Sequence, residues 1–183
     1  MHPLFRERSE MMGKYETPDY EVIDKKDDFE LRRYEDFYIV EYNNQSDPDI
    51  DQGFKTLFNY ISSENKENEK MSMTVPVIQE KTETNKKMAF VVPEKYWGEV
   101  PEPNDPNLTV ERFNKGIFAA VQFSGKRSDT KETSMKKELN DWIEKKGLEK
   151  KSDFMIASYS GPFTLPPFRK NEIWARVGTI EKD

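Results

Sequence analysis

The sequence predicts an α+β domain made of two copies of one unit: a hairpin, a helix and two strands. Three observations lead to it. Two amphipathic stripes at helical spacing, Ile50–Ile61 and Met135–Ile143, stand far apart in the chain. Each follows a run of alternating apolar residues and precedes two more such runs. A proline-rich connector separates the first set from the second. A unit of this kind buries one face of its sheet under its own helix. Two copies can then join their sheets edge to edge into a curved, barrel-like surface.

In chain order, "YEVIDKKDDFELRRYEDFYIVEYN" (Tyr20–Asn43) reads as three short strands, with turns at Asp27-Asp28 and Glu35-Asp36. Phe37, Ile39 and Glu41 face one way, and Tyr38, Val40 and Tyr42 the other. Asp47 is expected to cap the first helix, with Pro48 as its first residue. Ile50, Phe54, Leu57, Phe58 and Ile61 form its apolar stripe, and it should end near Ser62. "MSMTVPVI" and "KKMAFVVP" are the strands that follow the polar loop "ENKENEK". On strict alternation Met71, Met73, Val75 and Val77 share a face. Pro76 lacks an amide donor and marks an edge or a bulge.

"EKYWGEVPEPNDPN" is a long connector, because Pro101, Pro103 and Pro106 allow neither helix nor strand to continue. The pattern then restarts. "LTVERFNKGIFAAVQFSG" is expected to be a hairpin turning at Asn114-Lys115-Gly116. In "SDTKETSMKKELNDWIEKKG", Asp129 and Glu132 suggest a capping box. Met135, Leu139, Trp142 and Ile143 form the stripe, and Gly147 is the stop. "DFMIASYS" and "NEIWARV" are the closing strands. "RRYEDFYIVEY" aligns only loosely with "ERFNKGIFAAVQF", so the repeat is one of element order more than of residues.

Composition narrows the chemistry. The 183 residues carry a net charge of −6, which gives no general attraction for nucleic acid. Aromatics at 13% are too many for a disordered chain and imply an aromatic core under a charged surface. No cysteine is present, which excludes disulfides, thiolate metal sites and cysteine nucleophiles and fits a cytoplasmic location. His2 is the only histidine, so the body of the domain can form neither a Ser-His-Asp triad nor a multi-histidine zinc site. No apolar run is long enough for a membrane span, and the first residues lack the apolar core of a secretory signal. Residues 1–14 read as a flexible N-terminal tail. Residues 15–183 read as a single domain, with half-repeats over about 19–93 and 107–178.

Six blocks carry a family resemblance: "YEVIDKKDDFELRRYEDFYIVE", "GFKTLFNYI", "KMSMTVPVI", "PNDPNLTVERF", "AAVQFSG" and "PPFRKNEIWARV". They resemble, in order, the SOUL haem-binding protein family, and "MTVPV" and "RKNEIW" are the most specific. The resemblance implies a pseudo-twofold, distorted antiparallel β-barrel of eight strands with two flanking helices. It also implies kinship with gyrase-inhibitor-like effector-binding domains. The function it implies is non-enzymatic binding of haem, another tetrapyrrole or a similar hydrophobic small molecule, by a monomer.

A haem needs an apolar slot and hydrogen-bonding or basic groups at its mouth. Candidates for the slot are Phe54, Leu57, Phe58, Ile61, Met71 and Met73, with Phe163, Leu165 and Phe168 of "GPFTLPPFRKNE". Helix and strand stripes of this kind also serve as plain core packing. Arg169 is the best partner for a carboxylate, ahead of Lys55, Lys170 and Arg176. No histidine can ligate iron within the domain, which leaves Met73 or Tyr60 in principle. Asn171 and Glu172 are expected to anchor the proline-rich loop. Two other functions compete. Glu35, Glu41, Glu172 and Tyr159 are possible acid–base groups of an enzyme. Tyr96 and Trp97, if exposed, would mark a protein-docking loop, and their burial would argue against one.

Overall fold

The computed structural model describes residues 15–161, 165 and 168–180. His2 and Phe163 lie outside the described residues. Among the described residues are ten strands and two α-helices. They are β1 (Tyr20–Lys26), β2 (Phe29–Tyr34), β3 (Phe37–Tyr42), α1 (Gly53–Ile61), β4 (Val77–Lys81), β5 (Lys86–Val91), β6 (Leu108–Phe113), β7 (Gly116–Ser124), α2 (Asp129–Lys145), β8 (Leu148–Lys150), β9 (Met155–Ser158) and β10 (Lys170–Thr179).

All strands join one curled antiparallel sheet in the order β1-β2-β7-β10-β9-β4-β5-β3-β6, with β8 paired to β10. The order is palindromic. β2-β7-β10-β9 on one side answers β6-β3-β5-β4 on the other, so the pseudo-twofold axis passes between β9 and β4. Val77–Glu80 pair there with Met155–Ser158. The path ends at β1 and β6, and the sheet curls into a half-barrel, as expected of an α+β distorted barrel, with ten strands where eight were expected.

The same topology corrects the expected hairpin at Asn114–Gly116. β6 pairs with β3, while β7 pairs with β2 and β10. Strand β2 likewise leaves β3 and pairs with β1 and β7. Both short turns are therefore crossings between the halves, and Lys115 N–H donates to Asp36 Oδ1 at 2.7 Å where they meet. Alternation reveals strands but carries no information about their partners.

Three local expectations also change. The first helix begins at Gly53, not at Pro48, because Ile50 has φ +54° and breaks the helical path. Asp47 instead caps the preceding turn, accepting from Asp51 N–H at 3.1 Å and Gln52 N–H at 2.8 Å. These backbone bonds and the Tyr42 hydroxyl lower its pKa below the usual carboxylate value. Gly53 permits close seating on the sheet, since a Cβ there would lie 3.2 Å from the Tyr42 ring. The cap of α2 is Ser128, whose Oγ accepts from Lys131 N–H, and Glu132 turns to Arg127. Residues 71–76 are not in a strand, and β4 starts only at Val77. Thr74 Oγ1 donates to Val91 O at 2.6 Å, taking a bond that a ladder would otherwise supply.

Strand alternation separates two faces. On the outer face, α1 covers Val40, Tyr42, Met88 and Phe90, and α2 covers Val121, Phe123, Ile156 and Ile173. The inner face holds Tyr20, Tyr34, Phe37, Phe113, Phe118 and Trp174. Their rings touch in sequence, with Tyr34 5.2 Å from Trp174 and Phe37 4.4 Å from Phe113. Arg32 sits among them, 1% exposed. It donates to Glu172 at 2.8 and 2.5 Å and to Glu30 at 2.7 Å, and Trp174 Nε1 also donates to Glu172. A buried cation is tolerated here because carboxylates meet it in good geometry. Among the described residues, no helix is long and apolar enough to cross a membrane.

Removing one side of this pair leaves the other charge buried and unmet. Arg32→Met should lower the unfolding free energy by about 3–5 kcal/mol, measured by urea denaturation with a two-state fit. A loss under about 1 kcal/mol would show that the ion pair does not hold the inner face.

Candidate ligand-binding site

The two helices lie on the same face of the sheet, and the seam between β4 and β9 runs between them. On the α1 side, Phe54 and Phe58 point away from the core and are 39% and 48% exposed. They are one helical turn apart and stack, with centroids 6.2 Å apart and planes at 14°. Phe54 also meets Phe90 edge-on at 5.3 Å. Phe90 pairs with Val77 of β4, and Val77 pairs with Ser158 of β9. Strand β9 leads into the segment that carries Leu165 and Phe168, both largely exposed. Large apolar side chains are thus exposed on α1 and in the segment between β9 and β10.

The other slot candidates lie deeper. Leu57, Ile61 and Met71 are buried in the cluster beneath α1, and Met73 is half-buried against it. Met71 N–H donates to Ile61 O at 2.7 Å, which fixes this floor to the end of the helix. The nine-residue helix rests on the sheet along a narrow stripe, so Leu57 and Ile61 face inward while Phe54 and Phe58 flank it.

Between the turn that precedes α1 and the start of α2, a cavity of about 350 Å³ is lined by Ile50, Gln79 and Met88 and by the charged Asp49, Lys81, Arg127, Asp129 and Glu132. Arg127 spans the seam. It donates to Glu132 Oε1 at 2.9 and 2.6 Å, to Gln79 Oε1 at 3.3 Å and to Ser158 Oγ at 3.4 Å. Sequence reading passed over this residue, although "GKR" directly after a strand was a visible signal. Arg169 is half-buried near the same seam, and its carbonyl accepts from Gly125 N–H. Lys55 and Lys170 are exposed. Arg176 lies elsewhere, on the inner face, with its guanidinium 4.5 Å from the Phe118 ring centroid and bonded to Asn114 O.

This side-chain set fits the apolar face of a tetrapyrrole, through the open Phe54/Phe58 pair, and supplies cations nearby. It offers iron little. Tyr60 donates to Pro101 O at 2.6 Å, and burial raises its pKa, so the phenolate needed for ligation is disfavoured. Among the described residues, no cluster of three or more histidine, cysteine or carboxylate side chains is placed to hold a metal ion.

The groups weighed for acid–base chemistry have separate surroundings. Glu172 is paired with Arg32, and its neighbour Asn171 donates to Gly125 O, in the loop after β7, at 3.3 Å. Tyr159 packs on the inner cluster, and burial raises its pKa. Glu41 pairs with Lys87 at 3.4 Å, and Glu35 borders a different cavity, beside Asp36. The docking loop also loses its aromatic pair. Trp97 packs on the inner cluster and donates to Val92 O at 2.7 Å, and Tyr96 packs on the α1 cluster.

The model of the family described as SOUL heme-binding protein matches residues 15–176. Heme-binding protein 1 of Xenopus tropicalis is 25% identical over 182 residues, covering 91% of this chain and 95% of its own length. The protein of that name from Xenopus laevis is 24% identical over 181 residues, with the same coverage. Among solved structures, a hydrolase from Listeria innocua superposes with a TM-score of 0.60 at 13% identity, over 85% of this chain and 94% of that one. The EcmrR C-terminal domain gives 0.57 at 12% identity, over 88% and 99%. At such identities the structural likeness establishes the fold alone.

The two sides of α1 should respond differently to truncation. Leu57→Ala should cost about 2–5 kcal/mol of stability. Phe58→Ala should cost under about 1 kcal/mol, because its ring already meets water. Chemical denaturation of both variants checks this, and equal costs would place Phe58 in the core.

Proposed function

This chain belongs to the SOUL heme-binding protein family, and from that premise we propose that it binds a flat hydrophobic molecule of the tetrapyrrole class in the groove over the β4–β9 seam. The stacked, exposed pair Phe54/Phe58 is the observation that carries this reading. Two parallel rings left in water on a nine-residue helix form a surface that a planar apolar ligand would cover. Leu165 and Phe168 would meet the ligand from the other side, while the half-buried Met73 and the buried Leu57, Ile61 and Met71 support α1 from beneath. Methionine suits such a wall, since its thioether adapts to a ring face. The protein acts as a binder, not an enzyme: a monomeric cytoplasmic carrier or buffer.

The ligand is held without a histidine on iron, since the only histidine is His2. Affinity then rests on apolar contact, and each ring of the pair contributes about 1–1.5 kcal/mol. The metal should matter little. Purified protein titrated with hemin and with metal-free protoporphyrin, followed by tryptophan quenching and the Soret band, should saturate with both at similar affinity. Phe54→Ala/Phe58→Ala should weaken both by about tenfold or more. Haem bound far more tightly than the metal-free ring would reveal an iron ligand and contradict the reading. Saturation with neither would remove the tetrapyrrole class altogether.

A further inference from the structure

We infer that the inner face of the half-barrel holds a second site, which binds a free α-amino acid with an apolar side chain, its carboxylate on Arg176 and its ammonium on Glu80. The site lies on the face of the sheet opposite the two helices and does not depend on the groove reading.

A cavity of about 360 Å³ opens there, within the range of about 300–1,000 Å³ usual for small-molecule sites. Ile39, Ile78, Ala89, Phe113 and Met155 form its floor, and all are buried members of the inner cluster. Charged groups ring it in balance. Among the described residues, Glu41, Glu80 and Glu111 line it together with Lys87, Arg112 and Arg176. Such a lining favours neither a simple cation nor a simple anion and suits a ligand that carries both charges.

Two of these groups have no counter-charge in contact. Glu80 is half-buried, and its carboxylate forms neither a hydrogen bond nor an ion pair among the described residues. Lys87, opposite it on β5, turns instead to Glu41 at 3.4 Å. Arg176 is also half-buried, and no carboxylate pairs with it among the described residues. Its Nη2 donates to Asn114 O at 2.7 Å and its Nη1 to Lys115 O at 3.3 Å. The Phe113 and Phe118 rings lie against it, with centroids at 5.0 and 4.5 Å. Carbonyls and ring faces hold a guanidinium in place without neutralising it, and further N–H donors remain. Burial raises the pKa of Glu80 and lowers that of Arg176, and each charge offsets part of the other's shift. The two therefore feel one another without bonding. Glu80, Met155 and Trp174 stand side by side on β4, β9 and β10, with Arg176 one step further along the same face. This spacing puts the Cα atoms of Glu80 and Arg176 about 12 Å apart, and both long side chains reach into the gap. An α-amino acid fills it with charge-assisted hydrogen bonds at both ends. Its ammonium, carboxylate and side chain leave from one carbon, so the side chain falls on the apolar floor. Each half of the chain contributes one pole of the site.

Three ligands with one phenyl body separate the contributions: L-phenylalanine, 2-phenylethylamine, which lacks the carboxylate, and 3-phenylpropanoate, which lacks the ammonium. By isothermal titration calorimetry the full chain should bind phenylalanine about tenfold or more tightly than either analogue. Glu80→Gln should erase the preference over 3-phenylpropanoate, and Arg176→Gln the preference over 2-phenylethylamine. Urea denaturation checks that each variant is folded. Glu80 has no side-chain bond to lose, so its variant decides the matter if Arg176→Gln does not fold. Equal binding of the three ligands, a preference for phenylalanine over 3-phenylpropanoate that survives Glu80→Gln, or binding of none would overturn the inference.

Discussion

Strand β4 pairs with β9 across the pseudo-twofold axis, and the placement of both helices follows from that contact. Four residue pairs join the halves there. Because side chains alternate along each strand, the register also decides which residues face out. Val77, Gln79, Ile156 and Ser158 face the helices, while Ile78, Ala157 and Met155 face the inner aromatic cluster. A one-residue slip would exchange these sets and place Ile78 in the groove. Each helix rests on its own half of the sheet, and Arg127 bridges β4 and β9 between them.

The inner face of the half-barrel has a different character. Its centre is filled by aromatic rings around Arg32, Glu172 and Glu30, and the small residues Ala89, Ala120 and Ala157 make room for them. Nearer one end a cavity of about 360 Å³ remains, ringed by Glu41, Glu80, Lys87, Arg112 and Arg176. Burial raises the pKa of Glu80 there, and Lys87 acts in the opposite sense.

Much of this organisation was legible in the sequence. Alternation located most strands, helical spacing located both helices, and Gly147 stopped α2 with φ +70° as a glycine there should. What could not be read was contact between distant residues. "RRYEDF" and "RFNKGI" look like hairpins because short turns usually are, yet both turns carry the chain from one half of the sheet to the other. Arg32 is among the most buried residues, and no local pattern marks it, because the Glu172 that meets its charge lies 140 positions away. The expected helical stripe includes Ile50, which lies before α1, and periodicity alone could not divide the rest. Leu57 and Ile61 entered the core, and Phe54 and Phe58 did not, because the helix is short and touches the sheet along one line. Strand β8 is only three residues long and left no periodic trace.

The central claim is that the ligand lies over the outer seam and not within the half-barrel. Backbone amide chemical shifts of isotope-labelled protein, recorded as metal-free protoporphyrin is added, test it most directly. The account predicts shifts concentrated at Phe54–Phe58, Val77–Gln79, Lys126–Arg127 and Ser158–Gly161, with Arg32, Tyr34 and Trp174 unmoved. Shifts concentrated instead at Arg32, Tyr34, Phe113 and Trp174, with α1 unmoved, would place the ligand inside the half-barrel and contradict it.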